Sequence, residues 1–157
     1  TQGLGAIIGL GYLGDPRIAE TLIQLTGHRI PNIAQVAGQA LELLTGHFES
    51  HEEPLLRSRW TAWWKANEHR FHNGNRYRYG KMMTPKVLID GLKSRESIVR
   101  RYSYDELVVS TGVRIPFDCD GPWRIQQRHL KKWELWWEEQ ASSFIPGSWY
   151  FQGSLID

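Results

Sequence analysis

The chain reads as an all-α protein, a tandem-helix solenoid made of two copies of one unit of about seventy residues. Three observations predict it. Sequence blocks recur in the same order at a long period, and apolar residues follow helical spacing. No stretch alternates with period two for long enough to build a sheet. Stacked helix pairs form solenoids because no single pair can bury its own apolar face.

The recurrence is detailed. Leu41-Glu42-Leu43-Leu44-Thr45-Gly46 returns as Leu107-Val108-Val109-Ser110-Thr111-Gly112, and Trp60-x-x-Trp63-Trp64 returns as Trp133-x-x-Trp136-Trp137. Downstream of each Trp block, Phe71, Gly74, Tyr77 and Gly80 match Phe144, Gly147, Tyr150 and Gly153 in the same order. The second copy carries a longer loop before its Trp block. Unit one spans about 15–81 and unit two about 84–154. Residues 1–14 read as an apolar helix left from a preceding repeat, with the chain as the C-terminal part of a longer protein.

Each copy predicts three helices. Asp15-Pro16 and Thr84-Pro85 are each an N-cap followed by a proline at the first helical position, where its missing N–H costs nothing. The first helices run to about Leu25 and Leu92. Second helices begin at Pro31 and Ser94 and stop at Gly46 and Gly112, residues suited to the left-handed conformation beyond a helix end. Third helices start near Glu53-Pro54 and Gly121-Pro122, carry the Trp triads and end near Asn67 and Ser142. Residues 75–79 and 148–152 are the strand-like candidates.

Composition excludes several classes. Nineteen basic residues against seventeen acidic give a net charge of +2, which argues against a dedicated nucleic-acid binder. The single cysteine, Cys119, leaves no internal disulfide or thiolate cluster and fits a reducing, cytoplasmic setting. No apolar run is long enough to span a membrane. Eight Trp in 157 residues need a structural home or a binding task.

A resemblance adds to this reading. The stretch Leu10-Gly11-Tyr12-Leu13-Gly14-Asp15-Pro16, then Leu22-Ile23, then Ala37-x-x-Ala40-Leu41-x-Leu43-Leu44-Thr45-Gly46 resembles HEAT repeats of the phycobilisome-lyase type. Together with Arg70-Phe71, Arg76-Tyr77, Gly80, Thr84 and the Trp helices, it resembles an uncharacterised proteobacterial HEAT family often encoded beside type VI secretion genes. The resemblance covers nearly the whole chain and implies a HEAT-like right-handed superhelix of helix pairs. Copy two departs from the small-residue pattern, with Tyr102, Ser103 and Tyr104 where Val36, Ala37 and Gly38 stand.

No constellation of reactive groups stands out. Gly9-x-Gly11-x-x-Gly14 matches a dinucleotide fingerprint as a string, but an apolar helical run contains it where a strand and turn are required. His47 and His51 beside Glu52 and Glu53, and His69 with His72, have no counterpart in copy two and do not supply convergent zinc ligands. Asp118 and Asp120 flank Cys119 and favour its neutral thiol, which is the reverse of what a nucleophile needs. Asp120 instead reads as a cap for the following helix. Glu134, Glu138 and Glu139 interleave with Lys131 and Lys132 as a solvated face.

The expected core is the two triads Trp60, Trp63, Trp64 and Trp133, Trp136, Trp137, whose i, i+3, i+4 spacing puts three indoles on one helical side. Candidate partner-binding residues are Trp123, Trp149, Tyr150 and Phe151, with Arg76, Tyr77, Arg78 and Tyr79 as a basic, aromatic segment. The expected function is a non-enzymatic protein-interaction scaffold, linked by the resemblance to type VI secretion. Its partner is another protein or a second copy, with no membrane and no cofactor, metal or catalytic residue. The alternative is a nucleic-acid-binding or enzymatic HEAT-fold protein, glycosylase-like or bilin-lyase-like, for which Asp105 and Glu106 are the acids to name.

Overall fold

A computed structural model describes residues 2–51 and 55–156. The chain is mostly helical and divides into two compact units, Thr1–Met83 and Thr84–Asp157. Among the described residues there are seven α-helices and two short β-hairpins, and no helix is long and apolar enough to cross a membrane.

In the first unit, α1 (Gln2–Leu13) precedes a 3-10 turn (Pro16–Ile18) that leads into α2 (Ala19–Thr26), α3 (Pro31–Thr45) and α4 (Leu56–Asn67). Asp15 caps as its sequence implies, accepting the Arg17 N–H at 2.9 Å. The expected start of the Trp helix at Glu53-Pro54 lies outside the described residues. Helices α1 and α3 pack closely because both are small where they meet. A Cβ on Gly11 would lie 2.7 Å from the Ala40 Cα, so only glycine fits there. The core gathers Leu22, Leu41, Leu44 and Trp60, all fully buried.

The second unit repeats this plan without a counterpart of α1. It holds α5 (Pro85–Gly91), α6 (Ser97–Thr111) and α7 (Trp123–Gln140). Leu88, Ile89, Leu92, Leu107 and Leu130 are buried in this unit, and Trp133 is fully buried. Lys93 reaches Glu134 at 2.8 Å, joining the end of α5 to α7, so Glu134 is tied into the unit while Glu138 and Glu139 remain exposed. Helix α6 begins three residues later than its sequence suggests. The Ser94 hydroxyl accepts the Glu96 N–H at 3.2 Å and holds that segment as a turn. Nor does Asp120 cap α7; it pairs with Arg101 at 2.5 Å, and Pro122 precedes the helix without a side-chain cap.

The strand-like segments are hairpins. Strands β1 (Tyr77–Arg78) and β2 (Lys81–Met82) pair antiparallel, as do β3 (Trp149–Phe151) and β4 (Ser154–Ile156). Both turns have two residues at positive φ, Tyr79 (51°) with Gly80 (74°) and Gln152 (50°) with Gly153 (80°). That pattern belongs to the type I′ turn, whose twist matches the flanking strands.

Candidate docking surface

The hairpins have the same local task in both units, and it starts at a helix end. The last carbonyls of a helix lack intrahelical donors. Thr45 and Thr111 begin the closure, each hydroxyl donating to the carbonyl four residues back (Leu41, 2.7 Å; Leu107, 2.6 Å). Gly46 and Gly112 then turn left-handed at φ 72°. The hairpin turn supplies two more donors. Tyr79 and Gly80 N–H reach the Leu43 and Leu44 carbonyls at 2.6 and 3.0 Å, and Gln152 and Gly153 N–H reach Val109 and Ser110 at 2.8 Å each.

An aromatic chain links each hairpin to its Trp helix. In unit one Trp60 meets Trp63 edge-on at 6.0 Å, Trp63 meets Phe71 at 6.5 Å, and Phe71 meets Tyr77 at 4.9 Å. In unit two the corresponding contacts are Trp133–Trp136 at 5.5 Å, Trp136–Phe144 at 5.9 Å and Phe144–Tyr150 at 4.8 Å. The Tyr hydroxyl closes the chain, accepting the His72 N–H at 2.9 Å or the Ile145 N–H at 2.8 Å. Trp60 and Trp133 are the anchors. Burying each removes about 200 Å² of mostly apolar surface, about 5 kcal/mol gross. Trp64 is buried against Phe71, whereas Trp63, Trp136 and Trp137 are half-buried.

The outer residues of the two hairpins differ. Arg76 and Arg78 are buried, and their guanidinium groups are spent on α1. Arg76 donates to the Leu13 and Tyr12 carbonyls at 2.9 and 3.2 Å, while Arg78 donates to Tyr12 at 2.8 Å and lies over its ring. Tyr77 is buried in the core, and Tyr79 is exposed at the turn. These four therefore make one helix-capping element, with only Tyr79 facing out.

In unit two, Trp149 and Phe151 take the positions of Arg76 and Arg78. Alternation along a strand puts Trp149 and Phe151 on one face with Ile156, the cross-strand partner of Trp149. Tyr150 points to the other face, against Phe144. Phe151 is 56% exposed and Ile156 is 48% exposed, whereas Met83, at the register position of Ile156, is 5% exposed. Ile145 and Leu155 are exposed nearby in the chain. Sequence reasoning did not single out Ile145, Leu155 or Ile156. The signal was available in the register that sets Leu155-Ile156 against Met82-Met83. Trp123, 62% exposed, stands alone at the start of α7.

The titratable groups are dispersed. No three His, Cys, Asp or Glu among the described residues come together as metal ligands, and Glu52 and Glu53 lie outside those residues. His47 stacks on Trp63 at 4.5 Å and bonds Glu49 at 2.8 Å. Burial pushes the Cys119 thiol up, with Asp120 and Asp105 adding to the shift against Arg101. The Gly9, Gly11, Gly14 string lies on α1 and its end. The chain matches no protein-family model, no curated protein and no solved structure.

Proposed function

We propose that the chain is a non-enzymatic docking module of the HEAT-like solenoid type, and that the β3–β4 hairpin is its principal contact surface for another protein. One observation carries this reading. In the first copy of a hairpin duplicated in backbone, turn and capping bonds, Arg76, Arg78 and Met83 are buried while Lys81 and Met82 stay exposed. In the second it presents Phe151 and Ile156 to solvent. Apolar side chains grouped on one face of a short, rigid element mark interaction sites more often than isolated exposed residues do.

The substitution also defines what docks. Arg76 and Arg78 serve polar carbonyls at a helix end, and Phe151 has no donor with which to do so. The partner surface that complements it is apolar. A cytoplasmic setting, which the single cysteine fits, and a role beside a secretion apparatus, which rests on the sequence resemblance alone, belong to the same proposal.

The test is affinity capture with the intact chain and with the double substitution Phe151→Ser, Ile156→Ser. A protein retained by the first and lost with the second, both chains remaining folded, supports the reading. Equal retention by both chains removes this hairpin from the interaction.

A further inference from the structure

The Trp helix of the second unit carries a charge pattern that works against its own stability. Helix α7 packs through Gln126, Leu130 and Trp133, all buried. Its opposite side holds two neighbouring i, i+4 rows, all exposed: Arg124, Arg128 and Lys132 on one, Trp123, Lys131 and Leu135 on the other. The four cations make no ion pair or side-chain hydrogen bond among the described residues.

A solvated helix face ordinarily spaces opposite charges three or four residues apart. Four residues after these cations stand Arg128, Lys132, Leu135 and Trp136, and Glu134, three after Lys131, is held by Lys93 at 2.8 Å. Arg124, Arg128 and Lys132 therefore repel one another along their row. The helix ends are reversed as well. Arg124 stands in the first turn, where the helix dipole is positive, and no acid shares that turn. Glu138 and Glu139 stand in the last turn, where the dipole is negative, and no base shares it.

The pattern does not belong to the repeat either. Aligned on the Trp blocks, His51, Leu55, Ser58 and Arg59 take the positions of Arg124, Arg128, Lys131 and Lys132. Charges held at a cost to their own helix, in one copy of two, mark a surface kept for something else.

We infer that this face of α7 docks an acidic helix of a partner protein. Cations recur about every 6 Å along their row, the step at which a second helix repeats its own i, i+4 side chains. Trp123 and Leu135 close the face with apolar contacts about 18 Å apart. A phosphate backbone would match the cations but leave both apolar ends unused. A bilayer would take up the apolar side of α7, which is turned into the core. None of these residues is in the β3–β4 hairpin, so either docking surface can fail without the other.

The probe is an amidated, alanine-rich helix of about fifteen residues, with a leucine at each end and glutamates at i, i+4 and i+8 between them. It is titrated into the intact, isotope-labelled chain and read at the Trp123 indole N–H, with the buried Trp60 indole N–H as control. We expect a saturable shift at Trp123 and none at Trp60. The response should weaken with added salt and vanish when glutamine replaces glutamate in the peptide. Arg124→Gln, Arg128→Gln should lower the affinity about tenfold or more, and should raise the thermal midpoint or leave it unchanged because like charges are removed. Lack of a saturable shift, an equal response to the glutamine peptide, or tighter binding of oligothymidylate or phosphatidylserine vesicles overturns the inference. So does a lowered midpoint in the double variant, which would make the cations part of the fold.

Discussion

The backbone N–H of Gly80 donates to the carbonyl of Leu44 at 3.0 Å, so a hairpin turn completes the end of a helix formed much earlier in the chain. Gly153 and Ser110 repeat the bond at 2.8 Å. A Cβ on Gly80 would lie 2.5 Å from the Thr45 carbonyl oxygen, and the residue is left-handed in any case. Gly80→Ala and Gly153→Ala should therefore each destabilise the protein by about 1–2 kcal/mol, read from denaturant midpoints. The smaller loss is expected at Gly153, where the clash distance is 3.0 Å.

The non-glycine half of each turn gives the opposite expectation. Gln152 sits at φ 50°, a conformation that asparagine tolerates better than glutamine. Gln152→Asn should raise stability by about 0.5 kcal/mol, visible as a higher midpoint at unchanged slope.

Arg76 closes the end of α1. Arg76→Met keeps the length but leaves the Leu13 and Tyr12 carbonyls without that donor, at an expected cost of about 1–3 kcal/mol. Arg76→Lys should recover only part, because an ammonium lacks the fork that reaches both oxygens. Hydrogen exchange should show the loss first in α1.

Trp133 and Trp123 both lie on α7 but have different surroundings. Trp133 is fully buried and Trp123 is 62% exposed. Trp133→Ala should cost about 3–5 kcal/mol, and Trp123→Ala less than about 0.5 kcal/mol. Urea unfolding separates these outcomes without ambiguity.

Asp15 sets a pH dependence. Its hydrogen bonds to Arg17 hold the carboxyl below the ordinary value, against a smaller opposing effect of burial. A lowered folded-state value means a contribution present above the ordinary carboxylate value near 3.9 and lost as pH falls through the folded one. The stability difference between the wild type and Asp15→Asn should thus be seen at neutral pH and shrink in acid.

Much of the fold was legible because the decisive signals are local. Thr-Gly after an apolar helix announces its end, proline after Asp or Thr announces a start, and the Trp spacing places the anchors. The hairpins were only half legible, since two- and three-residue strands are too short to show alternation. The roles of Arg76 and Arg78 depend on where the end of α1 arrives, and nothing near them in sequence states that.

The most direct test of the docking claim is thermal unfolding of the Phe151→Ser, Ile156→Ser protein beside the wild type. A surface kept for a partner contributes little to the isolated chain, so the midpoint should move by less than about 3 °C, within about 1 kcal/mol. A fall of about 10 °C would show that these side chains belong to the core of the second unit, and would contradict the account.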